Sequence, residues 1–341
     1  MIVVAGAGAM GASVAYHLAL LGARDVLLCD RGEICGGATS KAMGGVRQQF
    51  STPAEVRLAQ ASIGFFEELG PPFFDQVGYL FVATTAAGLR RLEARMALQR
   101  SLGVPVEPAR VPAAVRSDDV VGAVACWKDG VADPPATARE LVRRAAALGV
   151  RVEEGVDARG LERDVLVVCC GPWSAELVPE LPVRPLCRQL LATGPVDVDP
   201  RLPMVVEEET GFHFRRRDGR IVIAMGDAAP RWGFAEDVDE AVFADRLARL
   251  RHRLPAAAGA RVAGAWAGLY DMTPDAHPIV GRVADGVYAA CGFSGHGFMQ
   301  SPAVGRALAE EIVLGRSSFD LSPYRLERFT GEPEFPETLV L

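Results

Sequence analysis

Three glycines and one acid in the first thirty residues carry the most explicit chemistry in this chain. Gly6, Gly8 and Gly11 stand in Gly6-Ala7-Gly8-Ala9-Met10-Gly11, between an apolar run, Ile2-Val3-Val4-Ala5, and a helical pattern that ends at Gly22. A second apolar run, Val26-Leu27-Leu28-Cys29, closes on Asp30, about 20 residues beyond the last glycine. Each residue type at that spacing has a task in holding a dinucleotide. Gly6 makes the tight turn, Gly8 lets the backbone approach a pyrophosphate, and Gly11 lets helix and strand pack closely. Ala9 and Met10 open the helix, whose free N–H groups and positive dipole end face the phosphates. Asp30, with Arg31 beside it, supplies a carboxylate that accepts hydrogen bonds from a ribose. Taken alone, the pattern says only that a dinucleotide binds, and an NAD(P)-dependent dehydrogenase remains an alternative.

The elements that must position these groups follow in order. A loop rich in glycine and hydroxyls, Gly36–Ser40 and then Lys41–Phe50, suits close wrapping of backbone round a ligand; a flexible surface loop is the plainer reading. Thr52-Pro53-Ala54-Glu55 is a capping box with proline at N1, so a helix runs from there to about Leu69. Tyr79–Ala83 reads as a strand and 86–102 as a helix; 104–130 reads as loops and short strands, and 136–148 as another helix. The apolar run Val165–Cys170 suits a central parallel strand, and Gly171-Pro172-Trp173-Ser174 follows it. Between 184 and 262 the alternation becomes that of antiparallel strands, with a hairpin at Asp218-Gly219 and a helix over 237–251. The basic cluster Arg215-Arg216-Arg217 reads as a solvated hairpin end. A last strand, Val287–Cys291, enters the turn Gly292–Met299, and Ser301 with Pro302 reads as the start of a helix ending at Gly315.

Composition sets the limits. A chain of 341 residues, half of them apolar, buries a sizeable core and suits two intertwined domains. A net charge of −7 speaks against a nucleic-acid partner, and no apolar run reaches the roughly 20 residues of a membrane span. The first residues already form the nucleotide-binding strand, which leaves no room for a signal peptide and points to the cytoplasm. The seven cysteines show no CxxC spacing and sit in apolar stretches, so free thiols are expected, with no metal site.

The residues resemble a known family. GAGAMG with Asp30-Arg31, GGATSKAMGGVRQQF, DGVADP, VLVVCCGPWS, WAGLYDMTPDAHPIVG and CGFSGHGFMQSPAVG together are similar to the FAD-dependent oxidoreductases that include D-amino-acid oxidase, glycine oxidase and sarcosine oxidase. The pattern is nearest to beta subunits of heteromeric sarcosine oxidases and to dye-linked proline dehydrogenases. The resemblance implies an α/β fold. A discontinuous Rossmann-like FAD domain of the glutathione-reductase type (1–72, 131–183 and 264–330) would carry an inserted α+β antiparallel-sheet substrate domain (73–130 and 184–263), with 331–341 as a tail. It implies that Gly6, Gly8 and Gly11 hold the pyrophosphate and Asp30 the ribose. Thr39, Ser40, Gly44 and Gly45 would run along the phosphates, and Gly171 and Trp173 would pass near the FAD. Gly295, His296, Gly297, Phe298 and Met299 would line the flavin's pyrimidine end.

The implied reaction removes hydride from the carbon beside an uncharged amine and passes it to flavin N5, releasing an imine that hydrolyses. Substrates of the sarcosine, proline, glycine or D-amino-acid type fit. Their carboxylate calls for a cation and a hydroxyl, for which Arg47 and Tyr270 stand out, with His213 as a further candidate and His296 at the cofactor. Three departures from the family pattern qualify this. Gly268 stands where a flavin-tethering cysteine occurs, so FAD is expected to be non-covalent. Met299 stands where many relatives carry a lysine that helps oxygen react, which favours a dehydrogenase with another acceptor, as yet undefined. Phe50 stands where monomeric sarcosine enzymes place a carboxylate-binding arginine. A flavin-bearing subunit that needs a partner is the other reading, and assembly with like or unlike chains stays open.

Overall fold

The computed structural model of the chain describes residues 1–330 and 336–341. Ile2–Ala5 lies inside a six-stranded sheet of order Ile279–Ala284, Val287–Cys291, Val165–Val168, Ile2–Ala5, Val26–Asp30, Arg151–Glu154. All neighbours pair parallel except Ile279–Ala284, which is antiparallel at one edge. Covering layers bury both faces of the inner strands, hence their unbroken valine and leucine runs. Val4 and Leu28 face the helices Ala9–Leu20, Pro134–Ala147 and Gly297–Leu314. Val3, Ala5 and Leu27 face a second core with Leu181 and Ile279.

The other large sheet has nine strands, ordered Arg231–Trp232, Arg184–Pro195, Arg220–Ala224, His213–Arg217, Met204–Glu207, Tyr79–Ala83, Gly122–Cys126, Val106–Pro108, with Val262–Met272 pairing Arg184–Pro195 off that path. The α/β class holds, but this second sheet is mixed, because Met204–Glu207 and Tyr79–Ala83 run parallel. They belong to two separate passes of the chain, so no hairpin forces them to alternate. Val262–Met272, whose residues from 264 on the sequence division assigns to the nucleotide unit, is bonded along its length to this sheet. A small third sheet, Gly45–Val46, Gly130–Ala132 and Phe74–Asp75, ties the loop before the Pro53–Leu69 helix to the chain between the large sheets. No helix among the described residues is long and apolar enough to cross a membrane.

Several boundaries differ from those read in the sequence, each for a local reason. The last long helix begins at Gly297, with His296 at its N-cap and Pro302 inside it. Proline there removes the donor to Phe298 O, and the Ser301 hydroxyl donates to that oxygen instead, at 2.9 Å. Ser-Pro thus marks a repaired helix interior here. The 237–251 helix starts later, at Phe243, after a 3-10 turn over Glu240–Val242. Arg215 is no solvated hairpin end: alternation turns it inward, where it donates to Gly44 O at 3.1 Å and Ala132 O at 2.9 Å. Burial pushes its guanidinium down to about 10.

The capping box at Thr52 is also half replaced. Thr52 Oγ1 accepts from Glu55 N at 3.4 Å, but the Glu55 carboxylate turns into the core. There it accepts from Gln300 Nε2 and sits 2.7 Å from His277 Nδ1. Glu337, from the C-terminal segment, supplies the missing acceptor to Thr52 N at 3.1 Å and also takes Ser51 N and Ser51 Oγ. A carboxylate at a helix N-terminus is favoured by the dipole as well. Replacing Glu337 with alanine should cost roughly 1–3 kcal/mol in denaturant unfolding and speed hydrogen exchange across 337–341; unchanged exchange there would refute the anchoring role.

Candidate active site

The glycine turn builds a cradle that side chains would fill. Gly6 has φ +98°, and a Cβ on it would lie 2.5 Å from Cys169 O. A Cβ on Gly11 would lie 1.8 Å from Gly6 O, and one on Gly8 would lie 3.0 Å from Thr39 Oγ1. That hydroxyl accepts from Ala9 N at 3.0 Å, which fixes the loop 36–41 against the helix N-terminus. Asp30 accepts from Ala7 N at 2.8 Å and from Gly32 N at 2.9 Å, so its carboxylate is held at the turn.

From this cradle a cavity of about 510 Å³ runs between the two large sheets. Gly6, Gly8, Ala9, Met10, Asp30 and Arg31 line one part of it, with Thr39, Gly171 and Trp173. Arg31 pairs with Glu176 at 2.6 Å and stacks 5.5 Å from the Trp173 ring centre. His213, Tyr270, Gly295, Gly297 and Phe298 line it too. Gly268 also lines it and faces the stem of Lys41, whose ammonium pairs with Glu236.

The remaining candidates lie behind the wall. Gly11 packs under the turn. The Ser40 hydroxyl donates to Gly36 O and Gly37 O, just ahead of its own short helix Ala38–Lys41. Gly44 is pressed against Ala132 and Arg215, and Gly45 against the Tyr79 hydroxyl. Met299 is packed in the core with Val46, Phe50 and Leu339. Arg47 is 2% exposed. Its guanidinium donates to Gln49 O and, at 2.7 Å, to Leu339 O; it covers the Phe50 ring at 4.0 Å and lies 3.4 Å from His296 Nε2. His296 stands edge-on to Phe50 at 4.9 Å, and its Nδ1 has no partner among the described residues. Burial and Arg47 keep this ring neutral, well below the usual histidine range. The Tyr270 hydroxyl donates to Leu341 O at 2.7 Å. The C-terminal segment therefore covers both residues that the sequence put forward for the substrate carboxylate.

Sequence reading passed over Arg188, on the strand Arg184–Pro195, which also lines the cavity. Its guanidinium lies 5.6 Å from the Tyr270 ring centre, and its charge disfavours protonation of His213. An arginine within Leu186-Cys187-Arg188-Gln189-Leu190 looks like an outward position of a two-period strand. Only the pairing with Val262–Met272, which sets Leu186 against Tyr270 and Arg188 against Gly268, turns it onto the cavity face. Asp271, also on the wall, has its carboxyl pushed up to about 6 by burial, although Gly292 N donates to it at 2.7 Å.

His213 holds Gly211 O through Nδ1 at 2.8 Å, so Nδ1 carries the proton and Nε2 is the acceptor. Burial, with Arg47 and Arg188 nearby, pushes its pKa down to about 4. A histidine that titrates near 6.5 when unfolded but near 4 when folded contributes stability above pH 6.5 that is lost as pH falls toward 4. Asp129 and Asp271, both raised to about 6, act in the opposite sense: their contribution is present at low pH and lost as pH rises through 6. Comparison of wild type with His213→Gln isolates the histidine. Wild type should lose roughly 2 kcal/mol more than the variant between pH 7 and pH 5; equal losses would contradict a buried neutral ring.

The residues fit a flavin dinucleotide on the structure's own terms. A side chain on Gly6 or Gly11 would collide with backbone, one on Gly8 would press on Thr39 Oγ1, and the open space beside this turn continues into the cavity. Among the described residues no group of three His, Cys, Asp or Glu side chains is arranged to hold a metal.

Comparison with known proteins agrees. The family described as FAD dependent oxidoreductase (DAO) matches residues 1–311. The chain is 28% identical to 4-methylaminobutanoate oxidase (formaldehyde-forming) of Paenarthrobacter nicotinovorans, over 96% of this chain and 45% of that protein. It is 24% identical to mitochondrial sarcosine dehydrogenase of Mus musculus, over 96% of this chain and 41% of that one. It thus spans less than half the length of these two relatives. The crystal structure of L-proline dehydrogenase from P. horikoshii superposes with a TM-score of 0.89 at 25% identity, covering 96% of this chain and 97% of the other.

Proposed function

Since the chain belongs to the FAD-dependent oxidoreductase family, we propose that it oxidises the C–N bond of a small amino acid or secondary amine of the sarcosine, proline or glycine type. The observation that carries this reading is the single cavity that joins the dinucleotide cradle to a wall holding Tyr270, neutral His213 and Arg188. FAD, when bound there, supplies the acceptor for the hydride. Gly6, Gly8 and the start of the Ala9–Leu20 helix would hold its phosphates, Asp30 its ribose, and Gly295, Gly297 and Phe298 would lie beside it.

The protein's own groups bind and orient. The basic side of the wall, beside the Tyr270 ring, gives the substrate carboxylate a place, which fixes the amine-bearing carbon. His213, neutral through the physiological range, adds no charge that would repel the amine and can accept a hydrogen bond through Nε2. The largely apolar wall, with Leu190, Ala224 and Phe298, limits water around the reacting carbon. Residues 1–72, 131–183 and 264–330 serve the cofactor and 73–130 with 184–263 the substrate. The two sheets support that division, except that 264–272 lies with the substrate sheet.

FAD is held without a covalent bond, because Gly268 offers no thiol where relatives carry their tether. The acceptor is a dye-like or protein carrier and not oxygen: Met299, buried and uncharged, gives a forming superoxide no ammonium. The cysteines, free among the described residues, accord with a reducing cytoplasm. Turnover of the purified chain with each amine, in parallel with a dye acceptor and with air, tests the reading. Dye reduction well above peroxide formation supports it; peroxide formed as fast as dye reduced overturns the choice of acceptor.

A further inference from the structure

Four basic side chains line the cavity, and their partners separate them sharply. Arg31 is paired with Glu176, Lys41 with Glu236 and Arg159 with Asp157. Arg188 has no carboxylate partner among the described residues, and its buried Nε has no hydrogen bond. An arginine left so at a cavity wall is costly unless a ligand anion completes it. Arg47, the other guanidinium near Tyr270 and His213, is fully buried and already satisfied by main-chain oxygens of Gln49 and Leu339. It is therefore committed to the fold.

We propose that Arg188, and not Arg47, is the cation that binds the carboxylate of the substrate and sets the preference for amino acids over simple amines. This rests on the functional reading above and deepens it. The register places the guanidinium on the same sheet face as Tyr270, because Arg188 stands opposite Gly268 and its neighbour Leu186 opposite Tyr270. Leu190 and His213 meet Ala224 from its two sides, so histidine and arginine lie on that same face with one strand between them. Planar guanidinium and carboxylate pair through two parallel hydrogen bonds, which gives direction as well as charge.

The test uses the FAD-loaded protein and two redox-inert probes, cyclopentanecarboxylate and cyclopentanecarboxamide, followed by titration calorimetry. Wild type should bind the carboxylate at least tenfold more tightly than the amide. Arg188→Met should lose about 10- to 100-fold in carboxylate affinity, leave the amide unchanged and keep its flavin; Arg188→Lys should recover part of the loss. Carboxylate affinity in Arg188→Met within twofold of wild type overturns the proposal. So does an equal loss for both probes, which marks a structural role, or loss of flavin, which marks a cofactor contact. A wild-type protein that binds both probes alike, or neither, overturns it too. The broader reading fails separately, if no amine bleaches the wild-type flavin.

Discussion

Gly11→Ala should abolish flavin binding and weaken the whole nucleotide unit. The new Cβ would stand 1.8 Å from Gly6 O, and Gly6 cannot retreat because it is pressed against Cys169 O, just past the end of the neighbouring strand. Helix and turn must therefore separate, and the first-turn N–H groups leave the place where the phosphates sit. The expected cost is at the upper end of overpacking, about 3 kcal/mol or more, read as a fall in the denaturation midpoint. Flavin per chain after dialysis against excess FAD should drop to background. Gly64→Ala is the control: Gly64 lies mid-helix with nothing within 4 Å of the added Cβ, so it should gain about 0.5–1 kcal/mol and keep its flavin. Full flavin occupancy in Gly11→Ala would show that the cradle is looser than its geometry says.

The second large effect concerns Arg47. Its guanidinium joins the loop before the Pro53–Leu69 helix to the C-terminal segment, through Gln49 O and Leu339 O, over the Phe50 ring. Arg47→Met keeps most of the volume but strands two buried carbonyls, each costly when unpaired, for a loss of roughly 2–4 kcal/mol. Release of Leu339 should also loosen Leu341 from the Tyr270 hydroxyl. Proteolysis should then clip the C-terminal segment faster, while the remaining protein keeps its discrimination between carboxylate and amide. Unchanged stability and clipping would mean that the segment is held by Glu337 alone.

How much of this could be read in the sequence varies with the range of the interaction. The cradle was legible because its glycines, helix start and Asp30 act within one strand-helix-strand unit, where spacing fixes geometry. Thr52 was legible as a cap for the same reason, but Glu55 was not legible as a core residue, since His277 and Gln300 come from more than 200 residues away. Ser301-Pro302 carried a helix-start signal that a single side-chain hydrogen bond cancels. Arg47 was the obvious cation by resemblance, yet nothing local announced that Leu339 would take it. Arg188 stayed invisible because strand alternation gives two faces without saying which is inside; the register with Val262–Met272 decides. Arg215 misled in the same way. Strands report their period, and only their neighbours report their side.

The most direct test of the account is a single anaerobic turnover. The FAD-loaded chain, mixed without oxygen with proline, sarcosine, glycine, their D-amino-acid counterparts where they exist and matched amines lacking a carboxylate, should lose its visible flavin band with at least one carboxylated amine. One carbonyl product should form per flavin reduced, and the carboxylate-free analogue should react far more slowly. A flavin that dithionite bleaches but none of these amines does would contradict the account.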